Sequence, residues 1–395
     1  MIFQTLDDKD ECIASYFDGG LHFDKIPENG SSTWNYHSYI PDEVEFAELY
    51  CAGKKISDVC PDNLKEEWNK TLNQFKAILK SFGHINLSTD SFCFYELVPR
   101  KFLLKHCEVK NRITDHILKN HDKPQNYDHL LKVQKLLTEL GKIELKLNHS
   151  NIRKCLVNPK CVDFCHRVKT RRSVLYNQFG TRTGRLTTTE KSFPILTFPK
   201  LFRGVVEPYN HILMEVDVVS AEVATLFYLN EQPIPKGDLH QWINEQCFGG
   251  KLDRDKSKQR FFSWLYDPRK QNKKLEAIFN RDTLFKKYYD GECVTNPFGR
   301  TMKVGEEKAL NYLVQSTFND LFLQNVIKLN ELLQGTKSRV YFCVHDSVVL
   351  DFHKEDKPRI DEILKMLSQV DDYEFGLHLS MGKNYGDMRK VLCEA

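Results

Sequence analysis

Apolar positions in the first half of the chain follow the period of an α-helix. In HLLKVQKLLTELGKIEL, Leu130, Val133, Leu137 and Leu140 recur on one face, which predicts a helix with an ordinary core-facing stripe. The segment from Met1 to about Leu97 has mixed α/β character with turn signals such as ENGSS. Further along the chain, helical patterns cover about 238–266 and 306–333.

Two apolar runs in the second half of the chain each carry one acid. HILMEVDVVSAEVATLFYL begins as a strand and becomes helical near Ser220, with Asp217 at the end of the strand. RVYFCVHDSVVLDF contains two β-branched and aromatic runs around His345-Asp346, the pattern of a hairpin with an acid at its tip. Because burying an unpaired charge is costly, an acid on an apolar strand calls for a partner.

Each acid alone has a structural explanation. Asp217 could cap the helix that follows it, and Asp346 could be a turn residue. Together, two acids at strand ends are what a two-metal phosphoryl-transfer site needs, in which divalent ions lie roughly 3.5–4 Å apart. The pair therefore points to nucleotidyl transfer.

Composition and charge restrict the class of protein. Apolar residues make up 41% and charged residues 28% of the 395 positions, as in a globular protein with a real core. No apolar run reaches the roughly 18 residues of a membrane span, and the acidic N-terminus lacks a signal-peptide pattern, so we expect a cytoplasm-like location. The net charge is only +3, but a basic cluster between Lys251 and Lys274 suits a polyanion.

The 12 cysteines show no framework of the secreted kind. The densest group is Cys155, Cys161, Cys165 and His166, whose spacing is not a usual zinc-ligand pattern. Reduced thiols are the favoured interpretation.

Several motifs in the family's order, from about Tyr176 to the C-terminus, resemble the polymerase domain of bacterial DNA polymerase I, the family A DNA polymerases. TRTGRLTT, VDVVSAEVA and FCVHDSV resemble the family's T-x-T-G-R-L-S-S loop and its two palm motifs. The fingers helix of the family carries an R-x3-K-x3-F-x3-Y stripe, which is resembled here by Arg254, Lys258, Phe262 and Tyr266. Spacing by four keeps these side chains on one face of a helix. DLH, NPFGR and ALNYLVQST match the D-I-H, F-G-R and N-x3-Q segments.

The resemblance implies an α+β right-hand polymerase fold with an antiparallel-sheet palm, helical fingers and a helical thumb. It divides the chain into an N-terminal α/β region of unclear role, a thumb-like helical region, a first palm part, shortened fingers and a second palm part. These correspond to residues 1–97, 98–172, 173–237, 238–297 and 298–395.

The resemblance also implies residue roles. The catalytic group is Asp217, Asp346 and Lys258, the last as general acid toward pyrophosphate. Two Mg²⁺ ions, for which Mn²⁺ can substitute, are bound by Asp217, Asp346 and the backbone carbonyl of Val218. The dNTP-binding residues are His240, Arg254, Lys258, Phe262, Tyr266 and Glu222. The residues that bind the primer-template are Thr183, Arg185, Asn311, Gln315 and His345.

The sequence departs from the family pattern at several places. Ser347 replaces the Glu after the second catalytic Asp, Asp267 replaces a Gly, and Ile195 to Phe198 replace N-L-Q-N. The fingers are short, and the region before Tyr176 is too small for a full thumb and a 3′–5′ exonuclease domain. Asp7 and Asp8 are interpreted as solvated surface acids, so we expect no proofreading.

The implied function is template-directed addition of dNTPs to a primer 3′ end. In the family, the carboxylate at the position of Glu222 excludes a ribose 2′-OH, and Phe262 in place of Tyr implies discrimination against dideoxynucleotides.

A single-subunit RNA polymerase or primase is the first alternative, favoured by Ser347 and opposed by Glu222. A silent nucleic-acid-binding subunit is the second. Primed DNA, dNTPs and a processivity factor or separate exonuclease are the expected partners, with no membrane, and the small size favours a phage polymerase in the host cytoplasm.

Overall fold

The computed structural model describes residues 1–8, 11–87, 92–151, 162, 164, 168, 171–267 and 269–394. The chain divides into two compact units, Met1–Leu131 and Lys132–Ala395. The boundary falls inside the region predicted as thumb. The group of Cys155, Cys161, Cys165 and His166 lies outside the described residues. Across the described ranges, no helix combines the length and the apolar character needed to cross a membrane.

The first unit combines short strands with long helices, as the mixed pattern of its sequence predicts. Strands β1 to β3 form an antiparallel sheet in that order, and β4 pairs with β5 in parallel. The elements are β1 Gln4–Asp8, β2 Glu11–Phe17, β3 Gly20–Phe23, β4 Ser32–Thr33, β5 Glu45–Phe46, α1 Ala47–Tyr50, α2 Ile56–Val59, α3 Asp62–His84, α4 Arg100–Asn120 and α5 Tyr127–Lys142, which continues into the second unit.

The prediction that Asp7 is a solvated surface acid is wrong. Its side chain is only 20% exposed, and its Oδ2 lies 2.9 Å from His37 Nε2. Asp8 is half-buried as well. The reason is tertiary: β1 packs with α4 in a hydrophobic cluster, and the Asp7 carboxylate, which looks solvated in LDDKDE, meets a histidine 30 residues further along the chain.

A five-stranded antiparallel sheet dominates the second unit, in the order β13-β14-β10-β17-β18. Strand β10 is central, and its apolar positions from Leu213 to Val218 are buried while Glu215 and Asp217 are only half-buried. The strands of this unit are β6 Lys146–Leu147, β7 Tyr176–Asn177, β8 Thr187–Thr188, β9 Val206–Glu207, β10 Ile212–Val218, β11 Cys293–Thr295, β12 Thr301–Lys303, β13 Arg339–Val344, β14 Ser347–Phe352, β15 Gln369–Val370, β16 Tyr373–Glu374, β17 Leu377–Gly382 and β18 Arg389–Glu394.

Helices of the second unit pack around this sheet. They are α6 Ala221–Leu229, α7 Leu239–Phe248, α8 Arg254–Tyr266, α9 Lys273–Ile278, α10 Arg281–Tyr288, α11 Glu306–Leu332 and α12 Ile360–Ser368, with 3₁₀ turns at Ile195–Thr197, Lys200–Val205 and Lys354–Arg359. The predicted helical stretch 238–266 is two helices, because Gly249 and Gly250 both adopt left-handed backbone angles (φ 73° and 71°) that end α7. Asp253 then caps α8 by accepting from Lys256 N.

A buried ion pair joins the β11–β12 hairpin to α11. Asp320 is fully buried, and its Oδ1 lies 2.7 Å from Arg300 Nη2, while Asn296 Nδ2 donates to Oδ2 at 2.8 Å. The arginine also packs against the TGR loop: a Cβ added at Gly184 would lie 2.6 Å from the Arg300 Cζ. This arginine belongs to the NPFGR motif, so part of that motif has a structural role.

We predict that Asp320→Ala destabilises the protein by about 3–5 kcal/mol, because it leaves a buried guanidinium without a counter-ion. Urea unfolding followed by circular dichroism measures the change. Glu292→Ala is the matched control, since it removes the exposed ion pair to Lys303 in the same hairpin and exposed pairs contribute little. Equal stability of the two variants would contradict the structural role of the buried pair.

Candidate active site

The two predicted catalytic acids lie side by side at one end of the central strands. Asp217 is the last residue but one of β10, and Asp346 lies in the turn between β13 and β14. The backbone N–H of Val218 donates to the Asp346 carbonyl at 3.1 Å, which fastens that turn to β10. His345 takes the left-handed conformation (φ 52°) that closes the turn. The hairpin predicted from the sequence is therefore present, with its acid at the tip.

Burial of like charges dominates the electrostatics of this pair. Desolvation raises the pKa of Asp217 to about 7, with the charges of Asp346 and Glu215 adding to the shift. Burial also raises the pKa of Asp346, against the opposing effect of the Arg185 guanidinium. Two carboxylates in such a place fit a hard divalent cation, which takes oxygen ligands.

The donor set is small. Within the described part of the chain, no cluster of three or more His, Cys, Asp or Glu side chains is arranged to hold a metal. Magnesium is ordinarily held by one or two carboxylates together with water and substrate phosphates, so two Asp side chains and a backbone carbonyl suit it.

Glu215 is a neighbour of this pair that the motifs did not indicate. It precedes Asp217 by two positions on β10, so both side chains lie on the same face of the sheet. Ser347, directly opposite Asp217 in the register, donates through Oγ to Glu215 Oε1 at 3.2 Å and to the Val344 carbonyl at 3.0 Å. The spacing of two within a strand was the signal that could have identified it.

Helix α8 carries the predicted fingers stripe. Arg254 and Lys258 are exposed, while Phe262 and Tyr266 are half-buried, with their rings nearly parallel at 5.7 Å. The opposite side of the helix packs into the core through Ser257, Phe261, Trp264 and Leu265. One side of α8 is thus cationic at its N-terminal end and aromatic at its C-terminal end.

The N-terminus of α7 meets α8 through charged groups. Asp238 caps α7 by accepting from His240 N and Gln241 N, and it also forms an ion pair with Arg254. His240, predicted to bind dNTP, is only 2% exposed, and its Nδ1 has no hydrogen-bond partner among the residues that the structure describes. Burial, with the nearby charges of Lys258 and Arg254, lowers the pKa of His240 to about 4. The imidazole is therefore neutral near pH 7.

Glu222 lies in the first turn of α6, where it meets two other predicted site residues. Its Oε1 lies 3.6 Å from Arg185 Nη2, and its side chain is 24% exposed. Burial and then the Glu222 charge raise the pKa of the Tyr266 hydroxyl. Since Arg185 also acts on Asp346, one guanidinium lies between the carboxylate of α6 and the acid pair.

The predicted primer-template residues are placed on two elements besides the turn at His345. Thr183 and Arg185 are in the loop between β7 and β8, where Thr183 is buried. Asn311 and Gln315 are half-buried and one turn apart on α11. The strand that starts this loop is fixed to β13 because Tyr176 Oη donates to the Cys343 carbonyl at 2.6 Å and accepts from Cys343 N at 2.8 Å.

Two side chains near Asp217, those of His378 and Lys390, have no counterpart among the sequence motifs. His378 of β17 is the other register partner of Asp217, and its Nε2 lies 3.1 Å from Lys390 Nζ of β18. The Lys390 charge opposes the rise in the pKa of Asp217, while burial and then the charges of Lys390 and Arg254 lower the pKa of His378. These groups connect the acid pair with the cationic end of α8, and nothing local in the sequence marks them.

Packing accounts for the apolar segment that replaces N-L-Q-N. Ile195 is fully buried, and the ring of Phe198 stacks 4.9 Å from that of Phe164 and lies 5.1 Å from that of Phe193. These side chains form part of the core of the second unit. Ile195 and Phe198 therefore belong to a hydrophobic cluster against which Leu196 packs, whereas Thr197 is exposed.

Comparisons with known proteins agree with this geometry. No protein-family model matches the chain. Over 144 residues the chain is 25% identical to the DNA polymerase of Bacillus phage SP01, an overlap of 33% of this chain and only 15% of that protein. The structure is similar to the POL domain of Pol1 from M. smegmatis in complex with DNA primer-template and dNTP, with a TM-score of 0.52, 13% identity, and coverage of 74% of this chain and 76% of that one.

These findings confirm the resemblance to the DNA polymerase I polymerase domain and the α+β polymerase fold predicted from the motifs. At 13% identity the structural likeness establishes the fold alone. The chain matches a small part of its phage relative, so activity and residue roles rest on the site itself.

We predict that Asp217→Asn raises the unfolding temperature in EDTA at pH 8, because it removes one of two buried like charges. The pKa of Asp217 is raised in the folded state, so the stability contributed by its protonated form is present below about pH 4 and lost as the pH rises through about 7. The gain should therefore shrink toward pH 4.

Thermal unfolding with and without Mg²⁺ checks this prediction, since a cation that binds only the folded state stabilises it. Mg²⁺ should raise the midpoint of the wild type and not that of Asp217→Asn. Asp361→Asn, an exposed acid on α12, is the control and should behave like the wild type. A lower midpoint for Asp217→Asn in EDTA would contradict the repulsion.

Proposed function

We propose that this chain is a DNA-directed DNA polymerase that extends a primer 3′ end with dNTPs. The observation that carries the proposal is the pairing of Asp217 with Asp346 on the central strands, beside a helix whose exposed side is cationic and aromatic. Buried carboxylates suit divalent cations, cations suit a triphosphate, and rings suit a base. The ordered motifs and the polymerase fold support it.

Asp217, Asp346 and the Val218 carbonyl would hold two Mg²⁺ ions, or Mn²⁺ in their place. Bound there, the ions supply activation of the primer 3′-hydroxyl and charge neutralisation at the phosphates. Arg254 and Lys258 hold the triphosphate, with buried neutral His240 behind them. Lys258 donates a proton to the leaving pyrophosphate.

The base and the sugar are selected by the C-terminal half of α8 and by α6. Phe262 stacks on the incoming base, with Tyr266 parallel to it, and the absence of a hydroxyl on Phe262 leaves dideoxynucleotides disfavoured. Glu222, held near Arg185, occupies the space of a ribose 2′-OH. We assign the grip on the primer-template to Thr183, Arg185, Asn311, Gln315 and His345.

The domain roles follow the same reasoning. We assign residues 98–172 to a thumb, 173–237 and 298–395 to the palm, and 238–297 to shortened fingers. We propose that residues 1–97 have no proofreading activity, so a processivity factor or a separate exonuclease would have to supply what this chain lacks. The phage relative supports a role in the host cytoplasm.

Extension of a primed DNA template by the purified chain, with dNTPs or rNTPs, tests the proposal. Incorporation of dNTPs with release of pyrophosphate is the expected result. Preference for rNTPs would favour the RNA polymerase or primase alternative, for which Ser347 is the argument. DNA binding without extension would favour a silent subunit. Trimming of a mismatched 3′ end would overturn the proposed lack of proofreading.

We predict that Lys258→Ala lowers kcat by about 10²–10⁴-fold, the usual range for a general acid. The dissociation constant for primer-template should stay near the wild-type value. Lys256→Ala is the matched control on the same helix, because Lys256 is exposed and paired with Asp253. Single-turnover extension separates the chemical step from DNA binding. Unchanged turnover in Lys258→Ala would exclude the assigned role.

We predict that Glu222→Ala lowers the preference for dNTPs over rNTPs by about tenfold or more, roughly 1.4 kcal/mol. The physical reason is that the variant opens space for a 2′-OH and removes the nearby negative charge. The measurement is the ratio of kcat/KM for each nucleotide type. Glu245→Ala, an exposed residue on α7, should leave the ratio unchanged. A wild-type ratio in Glu222→Ala would place sugar selection elsewhere.

A further inference from the structure

The serine after the second catalytic acid leaves the site one carboxylate short of the pattern that the chain resembles. In the resembled motif, a Glu follows the Asp at the position of Ser347. In this chain the Ser347 side chain is nearly fully buried, and Ser347 lies directly opposite Asp217 in the register of β10 and β14. The place is therefore occupied by a small hydroxyl on the strand next to the acid.

A carboxylate on the neighbouring strand accepts a hydrogen bond from that hydroxyl. Glu215 Oε1 accepts from Ser347 Oγ at 3.2 Å. Glu215 and Asp217 are two positions apart on β10, so their side chains lie on the same face of the sheet. Long side chains can reach diagonal neighbours on adjacent strands. The Glu215 carboxylate on β10 can therefore reach the space beside Ser347 on β14.

We propose that Glu215 supplies the third negative charge of the cation site from β10, in the place that Ser347 leaves open on β14. It acts as a positioning residue: it holds the Ser347 hydroxyl and adds its charge beside Asp217, which strengthens the attraction of the acid pair for divalent cations. The inference rests on the proposed function for the role of the site, but cation binding can be measured on its own.

A purely structural role for Glu215 is the competing explanation. The Arg203 guanidinium also interacts with this carboxylate, and it stacks over the Tyr385 ring at 4.7 Å. If Glu215 only balanced Arg203, its neutralisation would lower stability and leave cation affinity unchanged. The two explanations therefore differ in what is measured.

The test is Mn²⁺ binding by electron paramagnetic resonance on the full chain without DNA. Glu215→Gln keeps a hydrogen-bond acceptor for Ser347 and removes the charge. We expect it to weaken Mn²⁺ binding by about 10–100-fold, as is usual for groups that support metal ligands, with an unfolding temperature in EDTA no lower than that of the wild type. Glu207→Gln is the matched control, because Glu207 is also half-buried and accepts from Asn148 Nδ2 at 2.8 Å.

The exchange variant Glu215→Ser with Ser347→Glu makes the test reciprocal. It returns the carboxylate to β14, so it should recover most of the Mn²⁺ affinity that Glu215→Ser alone loses. Wild-type affinity in Glu215→Gln, or a loss of stability with affinity intact, would overturn the proposal. Since the readout is cation binding, a chain with no polymerase activity would disprove the proposed function and still report on Glu215.

Discussion

The repulsion between two half-buried carboxylates is the constraint on which the site depends. Asp217 and Asp346 come from separate segments, and the hydrogen bond from Val218 N to the Asp346 carbonyl holds them together at the same end of the sheet. Burial disfavours the ionised form of both carboxylates, so each is stabilised by positive charge nearby. Keeping such a pair costs folding stability unless its charge is balanced.

Three cationic side chains, each on a different element, lie in the neighbourhood of the acid pair. Arg185, from the loop before β8, acts on Asp346, and Lys390, from the edge strand β18, acts on Asp217. Arg254, in the first turn of α8, acts on His378, the register partner of Asp217. Each cation is itself held: Arg185 by Glu222, Lys390 by His378 and Arg254 by Asp238. A substrate phosphate would enter a set of cations already restrained by counter-ions and neighbours, which limits the reorganisation that binding requires.

Departures from the resembled family are explained by packing and by neighbouring strands. The apolar segment from Ile195 to Phe198 contributes to the hydrophobic core, so its loss of polar side chains has a structural reason. Ser347 departs from the family pattern in sequence, but its hydroxyl is hydrogen-bonded to the Glu215 carboxylate of the neighbouring strand. The division into helices α7 and α8 follows from a Gly249–Gly250 turn that lets the cationic end of α8 meet Asp238.

The sequence by itself determined the elements whose signals are local. Period and turn chemistry identified β10 and α6, the β13–β14 hairpin, α11 and the stripe of α8, and the ordered motifs identified the acids and the polymerase fold. Only the tertiary structure decided what approaches those elements from elsewhere in the chain. The strand order that puts His378 beside Asp217, the contact of Arg185 with Glu222, and the burial of Asp7 against His37 all join residues distant in sequence. Periodicity reports which face of an element is buried, but the partner across that face depends on the packing of the whole unit.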